Sequence, residues 1–432
     1  MHARAISAAL LLLALVTGIV IYKNQEKSRL LDSSTVVEVT DKSFRLSPLA
    51  GTPPWEKLAV YHGTMTRSEF EMSLSTIFTC SEEWRKYFHI NDDHVLINTA
   101  TMRPDEFFRL EFAPNQSSAK PAQKSWRTPA EMPQITEENL PLDGIHIAID
   151  AGHIGGNWAQ MEERWFRIGD SMPVMEGEMT LRVALLLKPE LEKLGATVSL
   201  VRDRTEPLTT ARPESLVETI DAADPRRAIK QAEMLFYRTA EIRARAAKVN
   251  QELKPDVVLC LHFNADAWGD PANPQLVEDN HFHILLNGAY TDDELSYDDQ
   301  RFEMTQKILQ RTIDEEASLG AVMAQTFVDL TAMPPYPYAS DSTRARNING
   351  NPYLWARNLI ANRLYECPVI FFEPYVMNST LFHQRIQLGD YDGLLEVAGK
   401  PQLSIYREYT KAVVDGLIAY YTENRKVGEA TE

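Results

Sequence analysis

Apolar and polar positions follow two different periods along this chain, and the alternation between them is clearest after Gly144. Short continuous apolar runs are typical of strands buried on both faces of a sheet, and stretches with apolar positions at helical spacing separate these runs. This alternation predicts an α/β fold of three layers, in which a mostly parallel or mixed sheet lies between two layers of helices. The predicted strands are IHIAID (145–150), ATVSLV (196–201), DVVLCLHF (256–263), HFHILLNG (281–288) and PVIFFE (368–373), and helices are expected over 178–195, about 300–330 and 406–421.

The first 29 residues contain one long apolar run, from Ala5 to Tyr22, with basic residues on both sides. About 18 apolar residues suffice to span a bilayer, whereas a cleaved signal peptide has a shorter apolar core followed by an Ala-x-Ala site. No such site follows this run, which favours an uncleaved membrane anchor over a signal peptide. Both alternatives predict export to the cell envelope, on the periplasmic or extracytoplasmic side of the inner membrane.

Three segments separate this anchor from the region of alternating strands and helices. Residues 30–54 are polar and end in Gly and Pro, which is typical of a tether. Residues 55–112 predict a small α+β module, with a helix capped by Thr66 or Ser68. Residues 113–140 are rich in Pro, Ser and Gln and predict a linker. The large domain is expected over 141–425, with insertions at about 206–240 and 266–303.

Charge and cysteine content exclude two classes of protein. The formal net charge is −17 and no basic block interrupts it, so a nucleic-acid partner is not expected. The three cysteines are too few for a disulfide scaffold, and two of them lie in or beside apolar runs, where buried thiols are expected.

Chemically active side chains stand where three of the predicted strands end. His153, His262 and Glu373 each close or follow an apolar run. Because ligands bind at the carboxyl ends of strands in an open α/β sheet, these side chains are expected to converge there. Glu178 opens the helix after the first strand and can reach the same edge, and Glu176 is an alternative two residues earlier. Two histidines and a carboxylate form the ligand set of a catalytic zinc site, which leaves a second carboxylate as general base.

Five ordered motifs carry a resemblance to a known family. They are IDAGHIGG (149–156), GEMTLRVA (177–184), TVSLVRDR (197–204), ARAAKVNQELKPDVVLCLHFNA (244–265) and CPVIFFEPYVMN (367–378). Through them, residues 145–421 resemble the zinc-dependent N-acetylmuramoyl-L-alanine amidases, which cut the amide between muramic acid and the stem peptide of peptidoglycan. The resemblance implies Zn2+ as cofactor, peptidoglycan as substrate, His153, Glu178 and His262 as zinc ligands, and Glu373 as catalytic base.

The chain departs from the family pattern around these residues. Ala151 stands where the family has Pro, Ile154 separates His153 from the glycines, and Met179 replaces a Lys. Pro374-Tyr375 replaces Gly-Phe, and Asn378 comes one residue early. These changes and the insertions are expected to reshape the substrate groove. In some relatives an inserted helix plugs the site until a partner removes it, so gating by residues 206–240 and a protein activator are further hypotheses.

Additional polar residues near the motifs suggest supporting roles. Asp150 and Asn264 are expected to orient the ligand histidines, and Arg344 and Arg346 either bind stem-peptide carboxylates or remain solvated. His281 and His283 alternate with Phe282 and are interpreted as ordinary strand-face residues. Two alternative functions remain open: a zinc amidase or peptidase with another substrate, and a non-catalytic cell-wall-binding or activator protein.

Overall fold

The computed structural model describes residues 43–135, 139–218, 220, 224–270, 273–339 and 342–426. The predicted signal peptide or anchor, residues 1–29, lies outside these ranges. Within them, no helix is both long enough and apolar enough to cross a membrane. The described residues from Ser43 onward form one compact unit.

The secondary structure of the described residues is as follows. The strands are β1 Phe88–Ile90, β2 His94–Asn98, β3 Phe107–Glu111, β4 His146–Ala151, β5 Trp165–Phe166, β6 Val174–Met175, β7 Thr197–Leu200, β8 Val257–Leu261, β9 Phe282–Leu286, β10 Arg346–Asn347, β11 Leu354–Ala356, β12 Val369–Pro374, β13 Leu395–Val397 and β14 Lys400–Gln402. The α-helices are α1 Arg67–Ser73, α2 Glu176–Lys193, α3 Pro213–Val217, α4 Pro225–Leu235, α5 Glu241–Ala247, α6 Asp292–Leu295, α7 Asp298–Gln310, α8 Thr312–Thr331, α9 Ile360–Leu364, α10 Thr380–Gln387 and α11 Ile405–Asn424.

A seven-stranded sheet in the order β10-β11-β9-β12-β8-β4-β7 forms the centre of the molecule. The strands β12, β8, β4 and β7 are parallel to their neighbours in this group, whereas β9 is antiparallel to β12. Every residue of β8 and β9 is buried, as their continuous apolar sequences predict. The prediction of a mostly parallel or mixed sheet is therefore confirmed.

Helices cover both faces of this sheet. On one face, α2, α8 and α11 pack against alternate strand residues such as Ile147 and Leu259. On the other face, residues of α5, α9 and the π-helical segment Lys248–Leu253 pack against Ala148 and Val258. Alternate residues of one strand thus face different helix layers, which is the three-layer arrangement predicted from the sequence.

Residues 55–112 form a three-stranded antiparallel sheet, β1-β2-β3, with α1 packed beside it. Thr66, rather than Ser68, caps α1, and it forms a capping box with Glu69. The module shares one hydrophobic core with the large domain, and the Trp55 ring contacts that of Phe302 at 5.4 Å.

The described parts of the two connecting segments are packed against the large domain. The backbone N–H groups of Arg45 and Ser47 donate to carboxylates at the start of α7. Trp126 is buried and Arg127 forms a forked ion pair with Asp256. Residues 43–54 and 113–135 are therefore fixed to the domain by buried contacts, which their polar composition did not suggest.

Candidate active site

The carboxyl ends of three neighbouring strands lie side by side at one edge of the sheet. In register, Asp150 of β4 is opposite Cys260 of β8, and Leu261 of β8 is opposite Phe372 of β12. His153 lies two residues beyond β4, His262 directly follows β8, and Glu373 is the second-last residue of β12. The strand register thus brings to one place residues that are more than a hundred positions apart in sequence.

Both histidines contact a buried glutamate, Glu176, at this edge of the sheet. The ligand atoms of His153, Glu176 and His262 all lie within 4.8 Å of one another. One Glu176 oxygen is 3.1 Å from Nε2 of His153, and the other is 3.1 Å from Nδ1 of His262. The histidine ring centroids are 5.0 Å apart. Such a His-Glu-His group can hold a metal ion.

Glu178, the carboxylate predicted to join the histidines, lies elsewhere. Helix α2 begins at Glu176, and its third residue, Glu178, is exposed beside Arg182 and Tyr406 on the outer surface. Two residues of helix rotate a side chain by about 200°, so only one of these two glutamates can face the strand ends. The structure therefore corrects the prediction to Glu176, the alternative left open by the sequence.

Burial and mutual attraction control the charges of this cluster. Burial opposes ionisation of Glu176, but His153 and His262 outweigh it and hold the pKa of that carboxyl well below its usual range. Burial also disfavours a charged His153, but Glu176 and then Glu162 raise the pKa of His153 to about 9. Burial dominates at His262 and lowers the pKa of its ring. The cluster is thus built around a buried anion.

Glu162 lies beside Nδ1 of His153, a position that no sequence pattern predicted. One of its oxygens is 3.7 Å from Nδ1 of His153, and its carboxylate accepts hydrogen bonds from the N–H groups of Ile154 and Gly155 at 2.9–3.0 Å. Glu162 is in a loop without regular periodicity, so no pattern marked it. Its position is typical of the carboxylates that orient metal-binding histidines.

Close backbone approaches around the cluster explain the glycines of the first motif. A Cβ atom at Gly152 would lie 2.3 Å from the ring of His262, so a side chain there would displace the ring. A Cβ at Gly155 would lie 2.8 Å from the backbone of Gly177 at the start of α2. The absence of side chains at these positions brings the His153 loop against both the second histidine and the helix of Glu176.

Glu373 lines the same cleft as His153 and Glu176. The cleft has a volume of about 430 Å³, and its other lining residues are His153, Arg164, Glu176 and residues 263–269. Burial, followed by repulsion from Glu176, raises the pKa of Glu373 to about 8. A carboxyl group with this pKa can bind and release a proton near neutral pH.

Arg164 is a cationic residue that lines this cleft, and the sequence did not predict its position there. Its Nε is 3.3 Å from a Glu176 oxygen, and its side chain is partly exposed. The same cleft contains Trp268, whose ring packs against Phe166 at 5.1 Å. Arg164 and Trp268 give the cleft one charged and one aromatic contact beside the carboxylates.

The predicted supporting residues occupy other positions. Asp150 is buried, where it binds Arg245 at 2.9 Å and accepts a hydrogen bond from Tyr365, and it contacts neither ligand histidine through its side chain. Asn264 lines the cleft, but its amide contacts His281 at 2.9 Å. The expectation that these two residues orient the histidine rings is therefore not met.

The two predicted substrate arginines are not part of the cleft. Arg344 is exposed in the loop before β10. Arg346 donates to the carbonyl oxygens of Thr79 and Cys80, which ties that loop to the small module. The structure therefore gives Arg346 a structural contact, and Arg344 the solvated position that was the alternative.

The strand-face histidines His281 and His283 lie next to the site. His283 is directly opposite Glu373 in the antiparallel pairing of β9 and β12. Both rings pack edge-on against Tyr336, at 4.7 and 4.8 Å. Burial, followed by repulsion from His281 and Arg357, lowers the pKa of His283 to about 3.

The predicted insertion at 206–240 packs beside the segment that follows His153. Phe236 of its last part contacts Trp158, and Lys230 of α4 pairs with Glu163 at 2.9 Å. Of the described residues in this range, none lines the cleft. Within the other predicted insertion, 266–303, strand β9 belongs to the central sheet and is buried, so this part of the stretch is a core element of the domain.

Comparisons with known proteins found similarity only among solved structures. No family model matches the chain. No curated protein matches it either. The chain is similar in structure to the N-acetylmuramyl-L-alanine amidase from Mycobacterium abscessus, at 15% identity over 65% of this chain and 99% of that one, with a TM-score of 0.35. It is also similar to the CwlD amidase from Clostridioides difficile, solved with the GerS lipoprotein, at 12% identity over 65% of this chain and 98% of that one (TM-score 0.37). A third is the catalytic domain of the amidase CwlV from Bacillus (Paenibacillus) polymyxa var. colistinus, at 14% identity over 65% and 97% of the chains (TM-score 0.35).

Proposed function

We propose that this protein is a zinc-dependent N-acetylmuramoyl-L-alanine amidase that hydrolyses the amide between N-acetylmuramic acid and the L-alanine of the peptidoglycan stem peptide. The observation that carries the proposal is the group of His153, His262 and the buried Glu176, of which His153 and Glu176 line one cleft with Glu373. The motifs that resemble the amidase family supply the substrate. An exported protein would meet this substrate outside the cytoplasm.

The donor set fits zinc. Two imidazoles and one carboxylate, with space left on the cleft side, are the ligands of catalytic zinc sites. The carboxylate of Glu162 behind His153 fits the carboxylate–histidine–zinc arrangement of such sites. When bound, zinc supplies polarisation of the scissile carbonyl and lowers the pKa of a water molecule to about 7.

Glu373 is the proton carrier in this proposal. It accepts a proton as water attacks the amide carbonyl, and it donates that proton to the nitrogen of the leaving alanine. Burial raises its pKa above the usual range of a carboxyl, which suits both steps, because a base that holds its proton too weakly or too strongly would fail at one of them. Arg164 and Trp268 line the cleft beside it, where they can contact the sugar or the peptide of the substrate.

The departure Pro374-Tyr375 does not favour a different substrate. Tyr375 is fully buried, and its hydroxyl donates to Glu408 of α11, at 3.0 Å. Neither residue lines the cleft. This change from the family pattern therefore lies behind the site, where it affects packing.

The test is digestion of purified peptidoglycan by the full-length protein, with and without a zinc chelator. Mass spectrometry of the soluble products should find stem peptides that begin with alanine, which disappear on chelation and return with added zinc. Zinc-loaded protein that releases no such peptide would overturn the substrate assignment. Peptides with a different first residue would instead establish an amidase or peptidase with another scissile bond.

A further inference from the structure

The carbonyl oxygens of the loop that carries His153 are bound by two buried arginines, Arg202 and Arg245. Arg202 follows β7 and Arg245 lies in α5, so they approach the loop from different elements. Their side chains are 2% or less exposed. Neither contacts the ligand atoms of the His-Glu-His group, and the proposed reaction assigns them no role.

Arg202 links the two segments that carry His153 and Glu176. Its Nη2 donates to the carbonyl of Gly152, next to His153, at 2.9 Å and to the carbonyl of Gly177, next to Glu176, at 2.5 Å. Its Nε donates to the carbonyl of Ala151 at 2.7 Å. One rigid guanidinium thus sets the separation between the loop of the first histidine and the first turn of α2.

Thr180 strengthens this link from α2. Its hydroxyl donates to the carbonyl of Gly152 at 2.7 Å and lies 3.2 Å from Nη2 of Arg202. The carbonyl of Gly152 is therefore held from two directions, directly before the histidine.

Arg245 holds the backbone of His153 itself. Its Nη2 donates to the His153 carbonyl at 2.6 Å, and its Nη1 donates to the Ala151 carbonyl at 2.9 Å. His153 has a φ of 58°, a left-handed conformation that is unfavourable for a residue with a side chain. Such conformations persist at functional sites only where surrounding contacts fix them, and the Arg245 hydrogen bond is such a contact.

The two arginines differ in how their charge is compensated. Arg245 forms ion pairs with Asp150 at 2.9 Å and Glu241 at 2.8 Å. Arg202 has no ion pair with any residue that the structure describes, and burial, followed by repulsion from Arg245, lowers its pKa to about 9. Burying a cation without a carboxylate partner is costly, so hydrogen bonds to carbonyl groups are the stabilising contacts that Arg202 has here.

We propose that Arg202 and Arg245 are positioning residues of the metal site, which hold His153 and Glu176 at the separation that a metal ion requires by clamping the carbonyls of Ala151, Gly152, His153 and Gly177. This inference rests on the proposed metal centre. It gives a role to the TVSLVRDR motif and to residues 244–250 (ARAAKVN) of the fourth motif, neither of which contains a proposed ligand.

The test compares zinc affinity of the full-length Arg202→Lys protein with that of the wild type. Lysine keeps the positive charge but lacks the fork that joins Gly152 to Gly177. Competition with a chelating dye should show about 10- to 100-fold weaker zinc binding, the usual effect of removing a partner that orients metal ligands. The control is Arg204→Lys, because the Arg204 side chain is 78% exposed and should leave the affinity unchanged. The absorption spectrum of the cobalt-substituted protein should also shift in Arg202→Lys only.

Wild-type zinc affinity and an unchanged cobalt spectrum in folded Arg202→Lys would overturn the positioning role. If that variant does not fold, Thr180→Val replaces it, because valine keeps the shape but removes the hydroxyl that binds the Gly152 carbonyl. Weaker zinc binding in folded Thr180→Val would support the clamp, and unchanged binding would overturn it. Failure of the wild type to bind zinc would instead refute the proposed metal centre, and zinc binding without amidase activity would refute the proposed substrate alone.

Discussion

Two pairs of histidines lie at the same edge of the sheet, and only one of them forms a candidate metal site. His153 and His262 have ring centroids 5.0 Å apart, and those of His281 and His283 are 6.4 Å apart. Glu176 lies against both rings of the first pair. The second pair packs against Tyr336, and the contact of His281 with the amide of Asn264 links it to the cleft.

This difference in partners shifts the pKa values of His153 and His283 in opposite directions. A buried carboxylate raises the pKa of His153 to about 9, while burial among rings lowers the pKa of His283 to about 3. Proximity of two histidines therefore does not make a metal site. A buried carboxylate oriented between them makes the first pair a candidate site, because it can supply a third ligand and compensate the charge of an ion.

Glu373 lies between the two pairs, and its replacement should have the largest effect. It lines the cleft together with His153 of the first pair, and it is the cross-strand neighbour of His283. Glu373→Gln keeps the shape but cannot accept a proton, so amidase turnover should fall by about 10²- to 10⁴-fold. Zinc content, measured by metal analysis, should stay at the wild-type level. Turnover at the wild-type rate would contradict the role of Glu373 as the base.

The next prediction distinguishes the roles of Glu176 and Glu178, the two glutamates at the start of α2, in zinc binding. Glu176→Gln removes the anion of the first pair and should weaken zinc binding by more than about 100-fold, beyond the effect of losing an outer partner. Glu178→Gln is the matched control, since Glu178 is exposed and is not part of the His-Glu-His group. Isothermal titration of both variants with zinc measures the contrast. Equal loss in both variants, or loss in Glu178→Gln alone, would contradict the assignment of Glu176.

The same glutamates show how far the sequence can predict the site. The ends of strands can be predicted from apolar runs, so the positions of His153, His262 and Glu373 at one edge of the sheet follow from the sequence alone. The choice between Glu176 and Glu178 does not, because it depends on which residue begins α2, and the preceding Val174–Met175 strand sets that point. Helix boundaries are the least certain part of a sequence prediction. Here, a difference of two residues in the start of α2 decides whether Glu176 or Glu178 faces the histidines.

Contacts between residues of different structural elements could also not be predicted from the sequence. Glu162 and Arg164 belong to an irregular loop, and only the folded chain shows that one lies behind His153 and the other beside Glu176. The packing of residues 43–54 and 113–135 was equally hidden, since a few buried anchors such as Trp126 fix segments whose composition is that of a linker.

A smaller effect is expected from the carboxylate behind the first pair. Glu162→Gln keeps the volume but removes the charge facing Nδ1 of His153, and zinc affinity should fall by about 10-fold. Glu163→Gln is the control, because Glu163 is half-exposed and pairs with Lys230 on the surface. Dye competition measures both variants. An unchanged affinity in Glu162→Gln would show that His153 is oriented by its backbone alone.

The smallest effect concerns the second pair and tests its electrostatics directly. The pKa of His283 is about 3 in the folded protein and about 6.5 in an unfolded chain, so below pH 6.5 the unfolded state binds a proton that the folded state does not. Its contribution to stability is therefore complete above pH 6.5 and declines as the pH falls toward 3. Between pH 6.5 and 5.5 this loss should be roughly 1 kcal/mol, and His283→Phe should remove it.

Denaturant unfolding of both proteins in the presence of a chelator, at several pH values, gives the difference in free energy of unfolding. Parallel curves for the wild type and His283→Phe would mean that the ring is protonated or solvated in the folded state, and the contrast between the two pairs would then lose its electrostatic basis.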